Sequence, residues 1–565
     1  MHGRLKVKTT AEQEAAKQKE RERKLKIYKA GTKKAFEKRE AQEYDDEALQ
    51  ITSQLLCSNP DFYTLWNFRK EIILHLSKEK VGDDLQQLLE NELLLVEECL
   101  RKNPKSYGAW HHRRWSLLLM PKPNWNKEIY LCNKFLEMDE RNFHGWDFRR
   151  FVCNKAEVKP SDELNFTLKK IEANFSNYSA WHYRSSLLPV IYKGKIKGTV
   201  KEEKLLEEYE LVQNAAFTDP SDQSVWFYHR WLLGRKQKPL QINSVYITKS
   251  LQRVIIQLSQ PVLTEEIEEF IKIYVNDVIL NIKWNKPTPS TFASSVWICL
   301  LPTENNVGDQ NTEIDISLTV NDYSDKIKCL LNAEEEDKLI YNKINKSNIF
   351  RDEVSASTTS VLEQELESCR QLQDLEPNNK WILFTIVLLM RALKNEQYNK
   401  LILECLDQLT EVDPKRKNYF YDLKSRFIIQ NAIEEAEGND EINLSRKQLT
   451  SLHHVDFFAT AKAVDLSYNL LKSVQPLCYL VCVRNLILDN NSISSCFGLG
   501  NLKQLENLSI KNNNLINIPD IADLVTCPLK TLNLEGNLIT KMENFEYVVI
   551  SMFVRLKVLD GKGLK

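Results

Sequence analysis

The chain has 565 residues and a formal net charge of −1, too long for one hydrophobic core and too balanced for a global polyanion-binding field, so no nucleic-acid partner is expected. Twelve cysteines lie scattered without a C-x-x-C pair, which points to reduced thiols rather than a disulfide framework or a zinc site in this chain. With no apparent signal peptide, and with its longest apolar run, Trp381 to Met390, expected inside a helical repeat, the protein reads as cytoplasmic and not integral to a membrane.

Residues 1–40 depart from the charge balance, with fourteen Lys/Arg against six Asp/Glu. MHGRLKVK reads as a basic arm, and Thr9 followed by Glu12 reads as a capping box opening a long charged helix to about residue 40. Such a helix is either a solvated face or a docking element.

From 41 to 238 one phrase recurs, a tryptophan followed within a turn by arginine. It stands at Trp66, Trp110, Trp146, Trp181 and Trp226, at spacings of 44, 36, 35 and 45, the length of a helical hairpin. Arg69, Arg113, Arg149 and Arg184 fall three residues after their Trp, on one helix face; the fifth copy has His229 there and Arg230 one place later. Ser106, Asn142, Asn177 and Asp222 are cap candidates four residues before the Trp, with Asp61 one place earlier in the first copy. Each phrase follows an amphipathic helix such as LLLVEECLRK, and Pro60, Pro104 and Pro220 lie between the helices, where proline costs no ladder hydrogen bond. In this pattern Trp fills the hairpin and Arg ties neighbouring repeats.

The pattern stops near Gly234. From Leu251 short β-branched runs follow (VIIQLSQPVL, FIKIYV, VILNIKW, SSVWICLLP, EIDISLTV and IKCLL), with a turn at Asn321–Asp322, predicting an antiparallel, immunoglobulin-like β-sandwich at 239–352. Helical repeats resume at 353–435, in a sixth copy with Pro377 and Trp381 and a seventh with Pro414 and Arg426. After an acidic linker, 441–565 carries a different repeat, L-x-L-x-x-N-x-L, with Asn469, Asn491, Asn513 and Asn537 forming an asparagine ladder and Lys447 in the Asn place of a degenerate first copy. VRLKVLDGKGLK reads as the cap of a leucine-rich array. The fold class is therefore multidomain and mainly α: an α–α superhelical solenoid of hairpins, an inserted sandwich and C-terminal leucine-rich repeats.

No phosphate-binding Gly-rich loop, zinc-protease or nucleophile-elbow motif is present. His111, His112, His144, His182 and His229 all lie inside the Trp phrases, without Cys or carboxylate at ligand spacing, and read as repeat residues. In Asn103-Pro104-Lys105-Ser106-Tyr107 a lysine stands at the mouth of a helix beside a hydroxyl and free backbone N–H groups, a place suited to an anion such as a diphosphate, or else an ordinary solvated loop lysine.

The Trp-x-x-Arg hairpins, and NPKSYGAWHHRRW above all, resemble the repeats of protein prenyltransferase α subunits over roughly 25–235 and 355–430. The β insert and leucine-rich repeats, which the subunit shared by farnesyltransferase and type I geranylgeranyltransferase lacks, point to the type II branch of that family. The resemblance implies a heterodimer whose β subunit, an α–α barrel, holds a catalytic Zn ion and the lipid pocket. The substrates implied are geranylgeranyl diphosphate and the C-terminal cysteines, usually two, of Rab GTPases presented by a Rab escort protein. By motif match, Lys105 with Tyr107 beside it is the catalytic contribution of this chain, on the diphosphate side. Escort docking is expected on the second helices of the later repeats, around Trp181–Leu188, Trp226–Arg235 and Trp381–Leu393. His2, on the basic arm, is a candidate ligand in trans to the β-subunit zinc, an internal inhibitor displaced by substrate, or else part of an unordered terminus. A helical and leucine-rich-repeat adaptor without enzymatic activity fits the same periodicities, and a partner of the farnesyltransferase type would need activity without an escort.

Overall fold

The computed structural model describes residues 11–194, 200–234, 240–248, 253–287, 292–301, 312–320, 323–331, 338–342, 359–393, 397–435 and 440–564. His2, Thr9 and the turn expected at Asn321–Asp322 lie outside them. The chain divides into two compact units, Met1–Val200 and Lys201–Lys565, each taken by itself below.

The first unit opens with the charged helix α1 (Ala11–Glu40). Its polar surface leaves few residues buried, among them Ala35 and Lys38. Lys38 Nζ lies 2.7 Å from Asp45 and 3.0 Å from both Glu43 and Glu47, which fixes the helix end against the loop that follows. Four hairpins come next: α2 (Asp46–Ser58) with α3 (Tyr63–Leu76), α4 (Asp83–Lys102) with α5 (Tyr107–Leu119), α6 (Trp125–Met138) with α7 (Phe143–Lys155), and α8 (Pro160–Ala173) with α9 (Tyr178–Ile191).

Each phrase tryptophan is buried in its hairpin, and its one polar atom is satisfied in the same way every time. The indole N–H donates to the carbonyl six residues earlier: Pro60 at 2.7 Å, Pro104 at 2.9 Å, Glu140 at 2.7 Å and Phe175 at 2.7 Å. The next hairpin uses the same carbonyls, since Ser106 donates to Pro60 at 2.9 Å and Asn142 to Pro104 at 2.9 Å. Ser106, Asn142 and Asn177 also cap α5, α7 and α9 through their side chains. Asp61 does not cap α3. The N-cap place there is Phe62, which has no acceptor, and Asp61, one position too early, accepts from Asn103 at 2.9 Å instead. Gly108 belongs to the stacking as well, because a Cβ there would stand 2.6 Å from the Trp66 ring.

The arginines reach forward to the next hairpin. Arg113 on α5 donates twice to Glu128 on α6, both at 2.7 Å, and Arg149 on α7 donates to Glu163 on α8 at 2.8 and 2.6 Å. Arg69 clips three helices: it bonds Glu92 on α4 and reaches back to the Leu49 carbonyl and the Thr52 hydroxyl on α2. Buried pairs of this kind add little net stability compared with apolar residues, but they fix which helices sit together, and removing one partner is costly.

The second unit starts with α10 (Glu202–Thr218) and α11 (Gln223–Leu233). It resumes its helices after the insert with α13 (Thr359–Leu375), α14 (Lys380–Leu393), α15 (Tyr398–Val412) and α16 (Lys417–Glu435). The hairpins continue directly across the insert. His229, in the arginine place, lies 2.8 Å from Glu365 on α13, and Asn379 donates to the Pro220 carbonyl at 3.0 Å. The sixth copy runs in a different register from the one expected. Asn379 accepts from the N–H groups of Trp381 and Ile382 and so occupies the cap place; Leu383, fully buried, therefore stands where the other copies have Trp. Trp381 is left in the first turn of α14.

The insert is an antiparallel two-sheet sandwich. Its strands are β1 (Ile242–Thr248), β2 (Arg253–Leu263), β3 (Ile271–Val275), β4 (Val278–Ile279), β5 (Trp284–Asn285), β6 (Ala293–Leu300), β7 (Thr312–Val320), β8 (Tyr323–Leu331) and β9 (Lys338–Asn342), with one helical turn, α12 (Ile267–Phe270), before β3. The sheets are ordered β5-β6-β2-β1-β9 and β4-β3-β7-β8. VILNIKW, read as one strand, divides between them: β4 pairs with β3 and β5 with β6, so the chain changes sheets there. β1 and β9 were not expected. Asn243 and Ser244 interrupt the apolar run of β1, and β9 is only five residues long.

In the last domain five parallel three-residue strands follow one another, β10 (Glu441–Asn443), β11 (Ala463–Asp465), β12 (Asn485–Ile487), β13 (Asn507–Ser509) and β14 (Thr531–Asn533). After a helix, α17 (Phe545–Met552), the hairpin β15 (Val558–Leu559) and β16 (Lys562–Gly563) closes the array. The asparagine ladder forms as expected: Asn469 accepts from the Lys447 and Leu449 N–H groups and donates to the Leu444 and Leu466 carbonyls. Sandwich and repeats touch through an apolar patch of Tyr246, Ile255 and Val296 on one side and Ala459, Val481 and Cys482 on the other. At this patch the Asp456 carboxyl accepts from Ser295 at 2.8 Å and Gln257 at 3.3 Å, and burial pushes its pKa up. No helix among the described residues is long and apolar enough to cross a membrane.

Candidate functional site

The candidate residues of the first unit gather where the second helices of hairpins two and three begin. The loop before α5 is held by its own residues, with the Asn103 side chain accepting from the Lys105 N–H at 3.1 Å and Ser106 capping the helix. On this fixed backbone the Lys105 side chain stays 61% exposed, its Nζ 3.7 Å from Asp139 at the end of α6. A long exposed pair of this kind is weak in water and leaves the ammonium available to a stronger anion.

Tyr107, the first residue of α5, is exposed, and its ring meets the His144 imidazole edge-on at 4.3 Å. His144 lies in the first turn of α7. Burial lowers its pKa against the pull of Asp147. Its Nε2 is buried and has no hydrogen-bond partner among the described residues. The imidazole thus packs on the tyrosine ring, and Phe143 extends the aromatic surface at 6.1 Å from Tyr107. The Lys105 ammonium and the Tyr107 phenol offer donors to an anion at the mouth of α5.

The sequence names Lys105 and Tyr107 as candidates and groups His144 with the repeat histidines. The available signal was its place two residues before Trp146, at the mouth of a helix. The other histidines have structural partners: His112 Nε2 sits 3.0 Å from Glu92 and His229 bonds Glu365, while His111 Nδ1 is 3.1 Å from Lys70 Nζ. Of the stretches expected to dock an escort, Trp381–Leu393 contains no exposed residue, because hairpin packing uses nearly all of α14. His2 and Arg235 fall outside the described residues. Among those residues no group of three His, Cys, Asp or Glu side chains is arranged to hold a metal ion.

A second feature of the first unit is an aromatic series. Tyr63, Tyr107, Phe143 and Tyr178 each stand three residues before a phrase tryptophan, at the first position of α3, α5, α7 and α9, and all are more than half exposed. Four large aromatic rings thus stand exposed at equivalent places of successive hairpins.

The chain is similar to known proteins over most of its length. The family described as "Protein prenyltransferase alpha subunit repeat" matches residues 45–76, 89–120, 125–156, 160–189 and 205–236. The family "Rab geranylgeranyl transferase alpha-subunit, insert domain" matches 242–339. The chain is similar to the "Geranylgeranyl transferase type-2 subunit alpha" of Bos taurus, 43% identical over 550 residues that cover 96% of this chain and 97% of that one. It is likewise similar to the protein of the same name from Homo sapiens, 43% identical over 544 residues, 95% of this chain and 96% of that one. The Dictyostelium discoideum protein of that name is 42% identical over 252 residues, which make up 44% of this chain but 80% of that shorter relative. None of the three is named as an adaptor.

Proposed function

The chain belongs to the family of geranylgeranyl transferase type-2 alpha subunits, and from that premise we propose that it acts in the cytoplasm as one half of a heterodimer that geranylgeranylates Rab GTPases presented by an escort protein. The observation that carries this reading is identity of 43% over 96% of the chain, with both the hairpin repeats and the insert matched. In this reading the β subunit packs on the exposed aromatic series of the second helices and brings the lipid pocket. It also brings a zinc ion, whose chemistry is to lower the pKa of the substrate thiol so that it reacts as thiolate.

The reaction breaks the C1–O bond of geranylgeranyl diphosphate and forms a C1–S bond to the substrate cysteine. The thiol proton passes to solvent, and diphosphate leaves with the bonding electron pair. The contribution of this chain is electrostatic. Lys105, on a rigid loop and only loosely held by Asp139, turns its ammonium to the diphosphate, where negative charge grows as C1–O breaks. Tyr107 adds a hydroxyl donor beside it. His144 is a positioning residue: its edge-on contact with the Tyr107 ring holds that ring at the helix mouth.

The test is co-expression with a type-2 β subunit and a transfer assay on escort-bound Rab. Zinc-dependent transfer by the complex is the expected result. A properly formed complex that transfers nothing contradicts the reading.

A further inference from the structure

In the first unit the helix that carries Tyr107 presents one exposed stripe along its length. On α5 it runs Tyr107, His111, Arg114 and Leu118, in steps of four, three and four residues that keep to one helix face. The neighbouring α3 places Lys70 and Leu74 at the corresponding positions, with Lys70 half-buried and the leucines 48% (Leu74) and 55% (Leu118) exposed. Midway along, three basic side chains meet across the two helices. Lys70 Nζ lies 3.1 Å from His111 Nδ1 and 5.7 Å from the Trp115 ring, and the Arg114 guanidinium carbon stands 4.5 Å from the Phe151 ring.

Among the described residues no carboxylate answers this charge. Glu71, beside Lys70 in the chain, holds Arg39 of α1 at 3.0 Å, and Asp147 on α7 holds Arg150 at 3.3 Å. The charged groups that face His111 are Lys70 of α3 and Arg114 of its own helix; burial first, then these two cations, lower its pKa below 6.5. The ring is therefore neutral at pH 7, accepts from the Lys70 ammonium at Nδ1 and carries its proton on Nε2. Gathering basic groups without a counter-charge opposes folding, and ring faces offset only part of that cost. Leucines and rings beside the cations favour a carboxylate that arrives on a protein surface with apolar neighbours over a small hydrated anion.

We propose that Lys70, His111 and Arg114 form an acid-docking subsite for the catalytic partner subunit, which places an Asp or Glu among them and apolar neighbours against Leu74 and Leu118. The proposal rests on the reading of the chain as half of a heterodimer. The occupant follows from distance along one helix. A subunit that completes the active site has to reach the mouth of α5, where Lys105 and Tyr107 stand. His111 and Arg114 lie only about 6 and 10.5 Å beyond Tyr107 on the same face, a length that a folded subunit seated at the mouth covers. Docking then has a proton consequence. A carboxylate beside the ring favours imidazolium, so His111 titrates higher in the complex than in the free chain, and association takes up a proton and tightens as pH falls.

The test measures affinity of the full chain for a type-2 β subunit between pH 6 and pH 8. Arg114→Glu, at an exposed position that spares the fold, should weaken association roughly 10-fold, and Lys70→Glu with Arg114→Glu roughly 10–100-fold, both more strongly at low salt. The wild-type complex should tighten about 3–10-fold from pH 8 to pH 6, and His111→Gln, which keeps a donor but takes up no proton, should remove that slope. Association of both charge variants within about twofold of wild type overturns the proposal, and so does an unchanged pH slope in His111→Gln. Charge variants that associate normally but bind geranylgeranyl diphosphate more weakly assign the cluster to the lipid's diphosphate and overturn it as well. If the wild-type chain forms no heterodimer, the transferase reading itself fails and takes the docking proposal with it; a heterodimer indifferent to these changes sinks the docking proposal alone.

Discussion

Glu92 is 2% exposed yet remains a carboxylate. Burial alone would raise its pKa, but Arg69 and His112 hold it down to about 2, against an ordinary value of 4.5. A folded value below the unfolded one means that its contribution to stability is present above pH 4.5 and is lost as pH falls toward about 2. Glu92→Gln leaves the Arg69 guanidinium buried without its counter-charge, so it should cost about 3–5 kcal/mol. Urea unfolding followed through tryptophan fluorescence checks this, and the gap between wild type and variant should narrow as pH drops below 4.5. Lys105→Ala should lower the single-turnover rate of the heterodimer about 10–10³-fold while changing lipid affinity much less, because a lone cation matters most as charge moves onto the leaving group. Single-turnover rates equal to wild type would return Lys105 to the role of a solvated loop lysine. Lys105 and Tyr107 could be named as candidates from the sequence because they share one short phrase with its helix cap. His144 could not, because its meaning depends on two helix mouths 37 residues apart in the chain coming together.

At the scale of elements, the hairpins were readable because the Trp and Arg places encode their own partners, a carbonyl six residues back and a glutamate on the next helix. Where those partners change, the reading slipped. Asp61 stands one position from the cap place, and the sixth copy puts Asn379 rather than a residue four before Trp381 at the helix start. β1 and β9 were missed because polar residues or short length hide the alternation that marks a strand. The contact between the sandwich and the leucine-rich repeats lay beyond any local pattern, since its residues are about 200 positions apart, and it changes what deletion should do. Removing either domain alone should expose the Tyr246–Val481 patch and leave Asp456 or its two donors unsatisfied. Loss of 441–565 also uncovers Ile429 and Ile433 of α16, which pack into the repeat core. Single deletions should therefore lower the melting temperature and solubility of the heterodimer. Turnover per folded complex should stay within about tenfold, or 1.4 kcal/mol of barrier, of wild type. The Dictyostelium relative supports this: 252 matched residues fill 80% of its length, so it has no room for counterparts of every domain here. A larger fall in turnover by a stable truncated heterodimer would assign these domains a part in catalysis.

For the whole molecule, two kinds of repeat and one inserted sandwich stand on one chain. The first unit holds a series of helix mouths; in the second, the insert interrupts the helices without breaking the Pro220–Asn379 and His229–Glu365 connections, and the leucine-rich array follows. The fold class was legible because each part shows its own physics: an indole bonded to a fixed carbonyl in the hairpins, strand alternation in the insert, an asparagine ladder in the leucine-rich array. The activity was not legible from that physics alone, since the same periodicities suit an adaptor, and it came from the wording of the phrases and the relatives that share them. The central claim is that this chain supplies an electrostatic half of an active site and that a partner supplies the rest. The most direct test is a transfer assay with geranylgeranyl diphosphate and escort-bound Rab, run on the purified chain alone and on its one-to-one complex with a type-2 β subunit. The expected result is no product from the chain alone and zinc-dependent thioether formation by the complex; transfer by the chain alone, or none by a well-formed complex, would contradict it.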